Sequence, residues 1–340
     1  MTTNRYSRQI LFPQIGAAGQ EKIQKKHVLI VGAGALGSSS AEMLVRAGVG
    51  KVTIIDRDYV EFSNLQRQQL YTEADAASRV PKAIAAEKRL KEINSSAVVT
   101  GVVAEATKEL LEQYLMDTDV LIDATDNFET RMLLNDLAVF HHIPWIYGAC
   151  VGSSGMSFTI IPEETPCLHC LLQKLPVQGM TCDTVGIIAP AVQIVVSHQV
   201  TETLKILVED TEALRGSFFN FDLWTNEYSS MKVGRAKNPT CQTCGTERTY
   251  PYLKGENKTK TAVLCGRETV QIRPPHSKKL SLIKLADSLK KNGYKVIVHP
   301  FLLSVEMEQN RLVLFEDGRA LVHDTKDVTF AKALYDKLLG

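Results

Sequence analysis

The sequence predicts a doubly wound α/β fold with a mixed sheet, followed by a small C-terminal α/β module. Three observations lead there. An apolar run at 27–31 ends in a glycine cluster, strands and helices then alternate as far as residue 148, and a hairpin pattern takes over beyond residue 155.

The first element is HVLIV at 27–31, short, apolar and rich in β-branched residues. It runs into Gly32, Gly34 and Gly37, spaced as G-x-G-x-x-G, and then into SSSAEMLVRAG, where Ala41, Leu44, Val45 and Gly48 recur at helical spacing. KVTIID at 51–56 supplies the next strand. Strand, glycine turn, helix and strand form one βαβ unit of a parallel, Rossmann-like sheet. The alternation continues with a helix at 80–93, a strand at 97–103, a helix at 107–117, VLID at 120–123, a helix at 127–142 and PWIYG at 144–148. MSFTII then precedes a loop with cysteines and proline, and a long helix covers 189–208 with Val192, Val196, Val200 and Leu204 as an apolar stripe. FFNFDL at 218–223, the turn WTNE and YSSMKV at 228–233 read as an antiparallel hairpin, which makes the sheet mixed.

Residues 251–260 are polar with glycine and proline and read as a linker between an N-terminal domain, 1–250, and a module at 261–340. Within that module the strands are TAVLC, TVQIR, KVIVH, FLLSVEM and RLVLF, with helices at 280–292 and 328–339.

Composition bounds the function. The 340 residues are 44% hydrophobic and 23% charged with a net charge of +1, which excludes a disordered or collagenous chain and a broadly basic, nucleic-acid-coating surface. MTTNRYSRQI has no apolar signal core, and no apolar run approaches the ~18 residues of a membrane span, so the expected location is the cytoplasm. Seven cysteines, an odd number, speak against a disulfide framework and for thiol or metal chemistry.

The glycine turn suits a nucleotide. Glycine lets backbone amides approach phosphate oxygens, the following helix N-terminus adds positive partial charge, and Asp56, closing the next strand, can accept from ribose hydroxyls. Those features alone favour NAD or FAD and a dehydrogenase. The loop RDYVEFSNLQRQ at 57–68 argues for more phosphate charge than one pyrophosphate carries, because it brings Asn64 and Arg67, with Lys82 beyond it. The plain alternative for Arg67 and Lys82 is a solvated surface position. Asp126 lies past VLID, at the carboxyl end of a strand, where open α/β sheets bind ligands; beside phosphates its charge calls for a magnesium ion. Its plain alternative is to cap the helix that starts near Phe128, a role for which Asn127 is equally suited.

Taken together, YSRQILFPQIG, GAGALG, DRDYVEFSNLQRQ, PKA, the ATDN tetrad at 124–127, MTCDTVGIIAP and the pairs CLHC and CQTC resemble the MoeB/ThiF adenylyltransferases, relatives of the ubiquitin-activating enzymes, from about residue 4 to 249. The resemblance implies an enzyme that uses ATP and Mg2+ to adenylate the C-terminal glycine carboxylate of a ubiquitin-fold sulfur-carrier protein, ThiS-like or MoaD-like, releasing pyrophosphate. It implies that Gly32, Gly34 and Gly37 face the phosphates, Asp56 holds the ribose, Asn64, Arg67 and Lys82 bind the triphosphate and Asp126 holds magnesium. It also implies a homodimer in which Arg8 reaches the partner's phosphates, and a sulfurtransferase or cysteine desulfurase as sulfur donor. The MTCDTVG loop and the N-terminal YSRQILFPQIG resemble ThiF proteins that carry a similar tail, which leans towards the thiamine rather than the molybdenum-cofactor branch. A carboxylate nucleophile is already ionised at neutral pH, so no general base is required, and none of the usual Ser/His/Asp constellations is evident.

Cys167-x-x-Cys170 and Cys241-x-x-Cys244 can supply four thiolates to one structural Zn2+, although the interval between the pairs exceeds that of a zinc ribbon. The resemblance places zinc at these four positions, with His169 turned away. Cys182 precedes a helix in a loop that favours thiolate; it either links to the activated carrier, as in ThiF-like enzymes, or merely packs. Cys150 reads as a buried small hydrophobe and Cys265 as a strand-end cysteine, since the tail is too short for a rhodanese domain. Two further readings stay open: a nicotinamide-dependent oxidoreductase, and a silent zinc-stabilised scaffold for a ubiquitin-like partner.

Overall fold

His27–Val31 (β1) is buried along its whole length, and neighbouring side chains belong to opposite cores, Val28 and Ile30 to one and Leu29 and Val31 to the other. A strand covered on both faces needs no alternation, which is why HVLIV reads as continuous apolar sequence. The computed structural model describes residues 4–173, 186–254, 260–264, 269–274, 280–299, 302–307 and 310–339. Cys182 and Cys265 lie outside them.

The chain divides into two units, the first ending at Lys254 and the second running from Gly255. In the first, β1 is joined by Lys51–Asp56 (β2), Val98–Val103 (β3), Val120–Asp123 (β4), Trp145–Val151 (β5), Ser154–Ile160 (β6), Ser217–Asp222 (β7) and Glu227–Lys232 (β8). Their order is β3-β2-β1-β4-β5-β6-β7-β8. Pairing is parallel from β3 to β5 and antiparallel from β5 to β8, the mixed sheet expected from the alternation and the hairpin. Chain direction across the sheet reverses between β1 and β4, and that reversal opens a crevice at the carboxyl ends of the strands.

Ser7–Ile10 (α1) and Gly16–Ile23 (α2) precede β1, and the other helices are Ala35–Ala47 (α3), Glu73–Ala77 (α4), Lys82–Ile93 (α5), Lys108–Leu115 (α6), Phe128–Phe140 (α7), Leu168–Leu172 (α8) and Ala189–Leu207 (α9). One core joins the sheet to Leu44 and Val45 of α3, Leu90 of α5 and Val192, Val195 and Val196 of α9. The other joins it to Leu111 of α6, Leu134 and Leu137 of α7 and Leu171 of α8. The buried face of α9 is wider than its valine stripe, since Gln199 and Thr203 are also fully buried. α1, α2, α4 and α8 were not resolved by periodicity, being four to eight residues long.

Residues 251–253, read from composition as linker, form a 3-10 turn instead, because Tyr252 N donates to the buried Asp136 of α7 (2.8 Å). The second unit is a six-stranded sheet, Lys295–Val298 (β11), Leu302–Glu306 (β12), Arg311–Phe315 (β13), Ala320–His323 (β14), Thr269–Arg273 (β10) and Lys260–Leu264 (β9), in the spatial order β11-β12-β13-β14-β10-β9. Every pairing in it is antiparallel. Leu282–Lys291 (α10) and Val328–Leu339 (α11) contribute Leu282, Leu289, Ala331 and Leu338 to its core. β14 escapes notice in the sequence because only four residues follow the Gly318 turn before the chain turns polar. Among the described residues no helix is long and apolar enough to cross a membrane.

Candidate functional site

The three glycines after β1 do different work. Gly32 has φ +99°, and a Cβ there would stand 2.4 Å from the Ala124 carbonyl oxygen, so it permits both the turn and the close approach of the β1 and β4 ends. A Cβ on Gly37 would lie 1.8 Å from the Gly32 carbonyl oxygen, so Gly37 lets α3 begin directly on the turn. Around Gly34, by contrast, the only neighbour within 4 Å of a Cβ among the described residues is Gln68 Nε2, at 3.9 Å. Gly34 therefore leaves a cradle at the N-terminus of α3, where free backbone N–H groups favour an anion. Gly34→Ala is expected to keep its thermal midpoint within a few degrees yet weaken ATP binding by calorimetry, whereas Gly37→Ala should fail to fold stably.

Asp56, at the end of β2, accepts from Ala33 N (2.5 Å) and from Asp58 N (2.6 Å), which ties the glycine turn to the β2 loop. Burial raises its pKa above the usual carboxylate value, and Asp58 adds to this, while Lys82 and the two N–H donors pull it back. Tyr71 clamps the turn from the other side through its hydroxyl, which donates to Ala33 O (2.6 Å).

The loop after β2 returns alongside the chain that leads into α5. Val60 N donates to Val80 O (2.9 Å) and Lys82 N to Asp58 O (2.9 Å), so Lys82 enters as the first residue of α5. It is only 5% exposed, with its ammonium 3.6 Å from Asp58, which rules out the solvated position its helix suggested. Asn64 is fully buried; its Oδ1 accepts from Glu61 N (3.1 Å), and its Nδ2 has no partner among the described residues. A buried amide donor without an acceptor is the kind of group a phosphate oxygen satisfies. Arg67 is half-exposed, with Nη1 donating to Ser63 O (3.0 Å).

Asp126 follows β4 by three residues and is exposed. The cap of α7 is Asn127, whose Oδ1 accepts from Thr130 N (3.0 Å), so the helix does not need Asp126. The carboxylate adds to the fields that hold Arg57 and Arg131 charged: burial works against both guanidinium groups and is the largest single influence, but Glu105, Asp58 and Asp126 together outweigh it at Arg57, and Asp123, Tyr147 and Asp126 together at Arg131. Gly32, Gly34, Asp56 and Asp126 thus come from the ends of β1, β2 and β4, where the sheet reverses, while Asn64 comes from the loop after β2 and Lys82 from the start of α5. Arg8, on α1, is exposed, and no described contact links it to these residues.

Sequence reasoning missed Asp123 and Arg131. Asp123 is fully buried at the end of an apolar strand, and Arg131 Nε donates to its Oδ2 (2.6 Å). The signal was there: a carboxylate closing VLID needs a partner, and Arg131 lies on the first turn of the next helix.

The four paired cysteines form a separate cluster, all buried, with their sulfurs within 4.8 Å of one another. Sγ separations are 3.6 Å for Cys167–Cys241, 3.5 Å for Cys170–Cys244 and 3.9 Å for Cys167–Cys170. These are far longer than a disulfide and bracket the ~3.8 Å edge of a tetrahedron of thiolates ~2.3 Å from one zinc. Asn238 N (3.4 Å to Cys170 Sγ) and Thr243 N (3.5 Å to Cys241 Sγ) point at the sulfurs, as suits thiolates. The donor set fits a closed, structural zinc site that ties α8 to the segment after β8. His169 is outside the cluster, and Cys150 is half-buried at the edge of the first core rather than within it.

Residues 6–243 match the model of the ThiF family. The chain is 53% identical over 339 residues, 99% of its length and 100% of the relative's, to the sulfur carrier protein ThiS adenylyltransferase of Bacillus subtilis. It is 33% identical to the molybdopterin-synthase adenylyltransferase of Salmonella typhimurium over 71% of this chain and 96% of that protein. Among solved structures, E. coli MccB with ATP superposes with a TM-score of 0.61 at 22% identity, covering 72% of this chain and 75% of that one, a likeness of fold.

Proposed function

The chain belongs to the ThiF family, and from that premise we propose that it adenylates the C-terminal carboxylate of a ubiquitin-fold sulfur carrier of the ThiS kind, with release of pyrophosphate. The observation that carries the chemistry is the crevice itself: an open cradle at Gly34, a buried ammonium at Lys82 and an uncommitted carboxylate at Asp126 around the carboxyl ends of β1, β2 and β4. The choice of carrier rests on coverage. Similarity to the ThiS adenylyltransferase spans 99% of the chain, second unit included, whereas the molybdopterin-synthase relative matches 71%.

The reaction joins two anions, so the site must offset their repulsion and align them. The carrier's carboxylate oxygen bonds to the α-phosphorus of ATP as the bond to the bridging oxygen breaks, and the electron pair leaves with pyrophosphate. The cradle at Gly34 and the Nδ2 of Asn64 donate to phosphate oxygens, Lys82 and Arg67 offset their charge, and Asp56 accepts from the ribose. Asp126 would hold a magnesium ion, which when bound spreads the charge released on the leaving group. No proton has to move, and positioning with electrostatics supplies the rate.

Mass spectrometry of the protein incubated with Mg-ATP and each carrier tests the reading. The ThiS-like carrier should gain an adenylate and support exchange of labelled pyrophosphate into ATP, and the MoaD-like carrier should do so far more slowly. The same spectra show whether Cys182 becomes linked to the carrier. Mg-ATP, and not NAD, should raise the melting temperature. Exchange with neither carrier, together with stabilisation by NAD, would return the oxidoreductase reading; stabilisation without exchange would favour the scaffold.

The proposed homodimer shares its site. Arg8 is exposed on α1, beside Leu11 and Phe12, which are 69% and 54% exposed. A second copy covering this tip would bury apolar surface and carry Arg8 to its partner's phosphates. Mixing Arg8→Ala with Asp126→Ala chains is then expected to restore part of the exchange activity, because one of the two sites in each heterodimer is intact. No recovery after proven subunit exchange would remove the assignment.

A further inference from the structure

β4 and β5 are paired only at Leu121–Trp145 and Ile122–Ile146; beyond that point the ladder stops, although β5 continues to Val151. A guanidinium takes the ladder's place. Arg131 Nε donates to Asp123 Oδ2 (2.6 Å), and its Nη2 donates to Thr125 O (2.5 Å) and, more weakly, to Gly148 O (3.3 Å) on β5. The planar group lies 5.0 Å over the Tyr147 ring. Asp123 Oδ1 accepts from Thr125 N (2.9 Å) and Thr125 Oγ1 (2.7 Å). From the helix layer across the sheet, Gln199 Nε2 donates to Asp123 O (2.8 Å) and Ile146 O (3.2 Å), in a space that exists because residue 148 is glycine: a Cβ there would stand 2.4 Å from Gln199 Nε2.

Asp123 and Thr125, three residues and one residue before Asp126, are therefore held by Arg131 of α7 and, through the Asp123 carbonyl, by Gln199 of α9, and Asn127 behind it is fixed as the cap of α7. Asp126 itself makes no hydrogen bond or ion pair among the described residues. A buried ion pair is a poor source of stability, since apolar packing of the same volume does as well or better. What it supplies here is geometry. We infer that Arg131, acting through Asp123 and Thr125, is a positioning residue that fixes where the Asp126 carboxylate stands in the adenylation step. The inference rests on the reading of Asp126 as the magnesium ligand and goes beyond it, because the Arg131 donors are engaged by Asp123, Thr125 and Gly148 of the protein itself.

A single positive charge does not meet this requirement. Arg131 donates from two separate nitrogens of one plane, Nε to Asp123 and Nη2 to Thr125 and Gly148, a span that the single nitrogen of an ammonium does not reproduce, so Arg131→Lys should fail nearly as badly as Arg131→Met. For both variants we expect carrier-dependent pyrophosphate exchange to fall about 10²-fold, the scale of a misplacement near 1 Å. The magnesium concentration for half-maximal exchange should rise about tenfold while the KM for ATP at saturating magnesium stays within about threefold. Manganese titration of the ATP complex, followed by electron paramagnetic resonance, should show the same weakening without any turnover. Asp123→Asn, which removes the charge partner, should reproduce these effects, and the double variant should be no worse than either single, as for residues of one network. If Arg131→Met does not fold, Arg131→Lys and Asp123→Asn decide. The inference is overturned if the lysine variant exchanges at the wild-type rate, if the loss is equal at every magnesium concentration with manganese affinity unchanged, or if the Asp123 and Arg131 effects add. A wild-type protein without exchange would remove the adenylation reading and this inference together; normal wild-type exchange with normal variants removes this inference alone.

Discussion

Replacing Asp126 by alanine is expected to leave a folded protein that has lost carrier-dependent pyrophosphate exchange by about 10³-fold or more, the scale on which electrostatic groups in phosphoryl-type transfers act. The fold should survive because the side chain is exposed and no described hydrogen bond depends on it. Asn127, not Asp126, caps α7, through Thr130 N at 3.0 Å. The neighbouring substitution makes the contrast. Asn127→Ala removes the cap and should cost about 1 kcal/mol of stability, a change visible in the melting curve, with a far smaller effect on exchange. Asp126→Asn keeps the size and loses the charge, so it should fall close to alanine if the role is to hold a cation. A residue that only packed or capped would show the opposite pattern: retained chemistry in the asparagine variant and loss of stability in the alanine one. Exchange at the wild-type rate in Asp126→Ala would end the assignment, and with it the reason for placing magnesium in this crevice.

The second large effect is on stability. Removing the metal with a chelator, or changing Cys241 to serine, should lower the thermal midpoint by about 10 °C or more, since a structural zinc contributes several kcal/mol and each kcal/mol shifts a unit of this size by about 2–4 °C. The reason lies in what the cluster holds. Cys167 precedes α8 and Cys241 follows β8, 74 positions apart in the chain. Asn135 and Asp136 of α7 dock both sides, since Asn135 Oδ1 accepts from Leu168 N (2.8 Å) and Asp136 Oδ1 from Thr243 Oγ1 (2.6 Å). Burial raises the pKa of Asp136, while Thr243, Tyr252 and Asn135 oppose the rise by hydrogen bonding. Without zinc the far half of α7 loses its cover, whereas its N-terminal turn keeps the Asn127 cap and the Arg131 anchor. Exchange measured at low temperature should therefore persist in the zinc-free protein and disappear together with the fold on warming. Zinc measured at one per chain in the wild type, and absent from the serine variant, checks the assignment. An unchanged midpoint in metal-free protein would show that the four thiols pack without needing an ion.

The sequence by itself determined the parts whose signal is local. Strand periods, the glycine turn, the longer helices of the first unit and the two cysteine pairs are each written in a short stretch of chain, because steric and hydrophobic preferences act between near neighbours. The lengths of HVLIV, KVTIID and VLID matched the strands observed to the residue. Only the tertiary structure decided which of those parts meet. Burial of Lys82 came from the pairing of residues 58–60 with 80–82, which no periodicity announces. The choice between Asp126 and Asn127 as helix cap turned on a backbone dihedral angle and one hydrogen bond, details to which both residue types are suited. Arg131 became an anchor because Asp123 on β4 and Gly148 on β5 both present acceptors to it, and the two cysteine pairs closed into one cluster because the chain leaving the β7–β8 hairpin returns to α8. Contacts of that kind depend on where the whole sheet turns and on what each buried charge finds when it gets there, and neither is contained in any short stretch of chain.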